Sequence, residues 1–123
     1  MKKIFLAVSF LLMACNSSES FKTGTYKMVN SPNETPIIIS FNDDGTINAK
    51  VVNIIMGSYK VENNNLIIMP GGSTMMMGPQ KEMEAEQYFL QVLPDVQSYK
   101  IIDNHLELFT SDNKQLIFEP ISN

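Results

Sequence analysis

The sequence predicts an α+β fold that is mostly β: a curled antiparallel sheet or incomplete barrel of about 7–9 strands, with one helix over about 79–93 packed on its open side. Three observations predict it. Short apolar–polar alternations of period two recur along the chain, as half-buried strands require. Turn residues separate them at close intervals, which favours hairpins in a sheet that curls or closes. One segment, bounded by Pro79 and Pro94, replaces this rhythm with helical periodicity.

Each element has its own signal. In residues 24–29 (GTYKMV), Tyr26 and Met28 alternate with Thr25, Lys27 and Val29. After the polar stretch SPNETP, residues 36–41 (PIIISF) form a β-branched run, and Asn42-Asp43-Asp44-Gly45 turns the chain back into a partner strand over 46–52. Residues 57–61 (GSYKV) and 66–69 (LIIM) flank Glu62-Asn63-Asn64-Asn65, whose asparagines tolerate positive φ. Three further strands, 98–102, 106–110 and 115–118, are joined by an Asp103-Asn104 turn and by the Ser111-Asp112-Asn113-Lys114 turn. In the helix, Pro79 suits the first turn, Glu82, Glu84 and Glu86 favour the positive end of the macrodipole, and Pro94 stops the helix after Leu93. Met83, Phe89, Leu90 and Leu93 fall on one broad side, extended by Ala85, Tyr88 and Val92. Glu86 projects into that apolar side.

Composition narrows the function. The chain has 123 residues, 44% apolar and 18% charged, which suits one globular domain. It has one Cys, one His, no Trp and no Arg. That excludes a Cys/His zinc module, a Cys–His nucleophile pair in the mature chain and an arginine grip on phosphate. A net charge of −4 points away from nucleic acid.

Lys2 and Lys3 precede an apolar run, Ile4 to Met13, interrupted only by Ser9. Ten residues of helix span about 15 Å, half a hydrocarbon core, which is the proportion of a secretory signal rather than a membrane span. The run ends Leu12-Met13-Ala14-Cys15, which resembles the lipobox of bacterial lipoproteins. The resemblance implies a signal peptide over 1–14, lipid on Cys15, a tether over 15–20 and a domain over 21–123. Two or three acyl chains would hold the protein on a membrane without a transmembrane helix. Asn16 stands where an Asp signals inner-membrane retention in lipoproteins, so the expected location is the cell envelope, at the outer membrane. Without Lys2 and Lys3 the mature chain has 7 Lys against 13 Asp and Glu, too acidic to seek anionic lipid by charge.

Three stretches together resemble the META/HslJ-like domain family: Asn53-x-x-x-Gly57-x-Tyr59, Ser73-Thr74-Met75-Met76, and Glu86-x-x-Phe89-Leu90-x-x-Leu93, followed by Leu106-x-Leu108 and Leu116-x-Phe118. Order and spacing match over roughly residues 21–119. The resemblance implies a barrel-like sheet with one helix, and makes Asn53, Gly57, Thr74, Met76 and Glu86 structural motif positions. It suggests that Glu86 accepts hydrogen bonds from backbone amides of the 73–76 segment. The family is associated with heat-shock response and novobiocin tolerance and has no agreed enzymatic activity. Many members carry a cysteine just before the Asn and another soon after the 73–76 segment; here those places hold Val52 and Gly78.

Candidate chemistry is sparse. Met75-Met76-Met77, with Met69 and Met83 nearby, reads first as core packing; an adaptable apolar groove and a copper(I) thioether site are the alternatives. His105 lies beside a turn and reads as exposed. Asn42 to Thr46 reads as a hairpin turn, because it lacks the downstream bidentate Glu of a calcium loop. Ser73 and Thr74 have no neighbouring base, so a hydrolase triad would rest on His105 alone. The expectation is a monomeric, non-enzymatic, membrane-anchored lipoprotein without cofactor, metal or nucleic acid, with a protein-interaction or envelope stress-response role and an unidentified envelope partner. The alternative is a pilotin-like carrier of an acyl chain or small hydrophobe, with a groove between helix and sheet lined by some of the candidates Tyr59, Met75, Met77 and Phe89.

Overall fold

Alternation decides which side of each strand turns inward, and the inward residues are the apolar ones. In this computed structural model, which describes residues 19–121, the strands are β1 (Gly24–Met28), β2 (Ile38–Phe41), β3 (Thr46–Lys50), β4 (Ile54–Glu62), β5 (Asn65–Ser73), β6 (Val96–Ile102), β7 (His105–Thr110) and β8 (Gln115–Pro120). One helix, α1 (Gln80–Val92), stands between β5 and β6. The expected signal peptide over 1–14, Cys15 and the part of the expected tether up to residue 18 lie outside the described residues, as do the last two residues. No helix among the described residues is long and apolar enough to cross a membrane.

All pairings are antiparallel and follow chain order, and β1 pairs with β8 to close a barrel. Tyr26, Met28, Ile39, Phe41, Ile47, Ala49, Leu66 and Ile68 point inward, met from the far side by Leu106, Leu108, Leu116 and Phe118. Tight turns make the hairpins possible. Asp103 and Asn104 both adopt positive φ, the geometry that a two-residue hairpin turn requires. At Asp44 the carboxylate accepts from the Thr46 hydroxyl and amide, 2.7 and 3.1 Å, and these bonds hold it below the ordinary aspartate range. That loop is a hairpin turn whose carboxylate is spent on its own backbone.

The opening expected in the sheet is a narrow seam. β5 meets β6 in register only at Asn65–Ser98, supported by the Tyr99 amide donating to Asn64 O at 3.1 Å. Beyond that rung β5 continues through Pro70, Gly71 and Gly72, and the turn Leu93–Asp95 that follows α1 packs against it. A proline lacks a ladder donor, so it suits this side of β5. Two strands are longer than their sequence signals suggest. Gly57 reads as a strand start but lies inside β4, at a register shift between Ile55 and Gly57. A Cβ there would sit 2.5 Å from Met69 O, so glycine is what lets the two strands approach.

Because strand direction alternates, the connections 29–37, 51–53, 74–95 and 111–114 gather at one end of the barrel. α1 lies across this helix end, burying Ala85, Glu86, Phe89 and Val92. Asn33 in the β1–β2 connection donates to Lys81 O at 3.1 Å. The opposite end holds residue 21 and the turns at 42–45, 63–64 and 103–104. There Phe21 plugs the mouth, edge-on to Phe41 at 5.1 Å and to Tyr99 at 5.2 Å, with Tyr59 at 5.6 Å.

Candidate functional site

Glu86 is a charged side chain on the buried face of α1, 5% exposed. A buried carboxylate is tolerable only when its oxygens are satisfied. Oε1 accepts from the Val52 and Asn53 amides at 3.0 and 2.6 Å, and Oε2 accepts from Asn53 Nδ2 at 2.7 Å. The amides it meets therefore belong to the β3–β4 connection, not to the 73–76 segment that the family resemblance suggests.

Asn53 passes the contact on. Its Nδ2 also donates to Met76 O at 3.2 Å, while its Oδ1 accepts from the Thr74 hydroxyl at 2.9 Å and from the Met76 amide at 2.5 Å. Thr74 in turn accepts from the Ile54 amide at 3.0 Å, and its own amide donates to Ile54 O at 3.1 Å. Both donors and both acceptor positions of the Asn53 amide are used. No buried side-chain nitrogen or oxygen among the described residues lacks a partner. Asn53, Thr74, Met76 and Glu86 thus form one clamp that fixes the backbone of 74–76, while Gly57 serves the neighbouring strand crossing.

The clamped segment exposes its side chains. Met75 and Met77 are 92% and 89% exposed. Core packing, the leading sequence reading of these methionines, is overturned: the chain leaves the barrel at Ser73 and their side chains have no inward direction to take. Nor do the four residues of the expected groove meet. Phe89 is wholly buried in the core, and Tyr59 lies at the other end of the barrel, its hydroxyl donating to Asn42 O at 2.7 Å. Burial first, then Asp43 and Asp44, raise the Tyr59 pKa above its ordinary value. His105 stands at that same end, its Nδ1 3.2 Å from Asp103 O, far from Ser73 and Thr74. An open pocket of about 540 Å³ at the Phe21 end is lined by Phe21, Tyr59, Val61 and Tyr99 together with Glu19 and Ser20.

Val52 and Gly78 are neighbours. A Cβ at Gly78 would stand 2.9 Å from Val52 Cγ1 and 3.6 Å from Val52 Cβ. The valine methyls occupy the space where a second side chain would otherwise sit.

The META domain family profile matches residues 9–123. The chain belongs to the META domain family. Solved structures share its fold at low identity. One is a Burkholderia xenovorans protein determined by NMR, with TM-score 0.64 and 16% identity, covering 92% of this chain and 88% of that one. Another is a DUF4847 family protein from Bacteroides vulgatus, determined by crystallography, with TM-score 0.60 and 16% identity, covering 91% and 99%. No curated protein matches the chain.

Sequence reasoning missed a surface around this META clamp. Ile54, Met56, Ile67 and Met69 project outward from β4 and β5 and are 44–50% exposed. The signal was present in the charges: from Gly45 to Lys81 the only carboxylate side chain is Glu62.

Proposed function

We propose that this META domain is a non-catalytic binding module of the cell envelope, anchored at the outer membrane by lipid on Cys15, which presents the 74–77 loop to a protein partner in an envelope stress role. One observation carries the reading. A fully satisfied clamp, buried at Asn53 and Glu86, holds the Met76 backbone in place while Met75 and Met77 stand in solvent. Exposed apolar side chains on an ordered backbone lose little entropy on binding, which is what a recognition loop needs. All three Glu86 contacts are to donors of the fold itself, so this carboxylate has a structural task rather than a proton to transfer.

Complementation tests the proposal. A strain lacking the protein is challenged with heat or novobiocin and supplied with wild type, Cys15→Ala or Met75→Asp/Met77→Asp. Wild type is expected to restore tolerance. Cys15→Ala leaves the membrane fraction, and both variants fall to the level of the deletion while remaining folded. Full rescue by Met75→Asp/Met77→Asp would contradict the binding-loop reading, and retention of Cys15→Ala in the membrane fraction would contradict the anchor.

A further inference from the structure

The outer face of the β4–β5 hairpin carries an apolar strip with Lys50 beside one end and Lys60 beside the other, where Glu62 follows on the same strand face. Cross-strand register sets the arrangement: Lys50 lies opposite Ile54, Asn48 opposite Met56, Ser58 opposite Met69, and Lys60 opposite Ile67. Of the nine large apolar side chains exposed among the described residues, seven lie between Ile54 and Met77. Such a concentration marks an interaction surface, since scattered exposed apolar residues are the ordinary condition. Neither Lys50 nor Lys60 makes an ion pair among the described residues, where the one salt bridge joins Lys114 to Asp112. Both lysines stand in a stretch almost free of carboxylates, in a chain that holds 13 of them.

We propose that this strip docks an acidic amphipathic segment of a partner protein. The inference rests on the binding-module reading and names the chemistry of the partner. Apolar side chains of the segment would cover Ile54, Met56, Ile67 and Met69, and carboxylates would meet Lys50 and Lys60. The unbranched thioethers of the methionines suit this role because they can repack against the surface they meet. From Ile54 to Lys60 is six residues of strand, about 20 Å, which a helix of about 13 residues spans. Charge complementarity selects an acidic segment over a basic one. A bilayer fits less well, because the strip runs along the barrel wall to the helix end, while the chain enters at the opposite end beside Phe21.

Site-specific photo-crosslinking in the full chain, in its own envelope, tests this. A benzophenone side chain replaces Met69 or, separately, Met75, and the crosslinked peptide is sequenced by mass spectrometry. The expected adduct at Met69 is a protein segment with apolar residues on one face and at least two carboxylates on the other. Its yield is expected to fall about tenfold in Lys50→Glu/Lys60→Glu and to stay unchanged in Lys27→Glu/Lys100→Glu. An adduct with lipid, with a second copy of this chain or with a segment lacking carboxylates would overturn the proposal. So would a yield indifferent to Lys50→Glu/Lys60→Glu. Protein adducts that ignore these charges defeat only this inference, whereas no protein adduct from either position defeats the binding-module reading with it.

Discussion

Glu86 spends a buried negative charge on joining α1 to the β3–β4 connection, and its geometry leaves no room for a donor. Every contact of its two oxygens is with an N–H. A glutamine there would set its NH₂ against a donor in either orientation. Glu86→Gln is therefore expected to destabilise the fold by about 2–3 kcal/mol, the cost of leaving buried donors unmet. Met75→Ser and Met77→Ser are expected to change stability by less than about 0.5 kcal/mol, as exposed positions do. Urea unfolding of the three variants checks both figures, and a costly Met75→Ser would mean that the loop packs after all. At this scale the sequence was half legible. A glutamate on an apolar helix face announces a buried partner, but that partner, Asn53, is 33 residues away and no local pattern joins them. The methionines misled because an apolar residue type reads as core until the path of the backbone is known.

Among the elements, the helix was the most legible, since two prolines and a face of apolar residues bracket it. β4 and β5 read shorter in the sequence than they are, because Gly57 and Pro70-Gly71-Gly72 look like terminators. In the structure they are the devices by which two nine-residue strands cross closely and β5 parts from β6. The contact between Val52 and Gly78 belongs to the same region, tying the β3–β4 connection to the segment that enters α1. The 3.6 Å separation from Val52 Cβ lies in the range that a disulfide spans. In a Cys15→Ala background, Val52→Cys/Gly78→Cys is expected to oxidise spontaneously. Closing a loop of about 27 residues should add about 3 kcal/mol, raising the thermal midpoint by roughly 10–20 °C. The shift should vanish on reduction. Free thiols after air oxidation would show that these two positions do not approach as described.

The whole molecule has two unlike ends. At one, Phe21 seats the start of the domain in a ring of aromatic side chains. At the other stand the clamp and the Met75–Met77 loop. Mostly-β architecture with a single helix was readable from alternation and turns, because both are local. A curled or barrel-like sheet was readable too, but its full closure was not, because that depends on one rung between Asn65 and Ser98 and on the pairing of β1 with β8, which only three dimensions bring together. An ordered backbone beneath an exposed loop is what makes the 74–77 segment a binding surface. Amide hydrogen exchange in the native protein measures this directly at Met76, whose N–H donates to Asn53 Oδ1. The Met76 and Asn53 amides are expected to exchange as slowly as those of the barrel strands, at least about a thousandfold below the rate of an open peptide. Exchange of Met76 within about tenfold of the open-peptide rate would show that the loop is not held, and the case for a presented binding surface would fall with it.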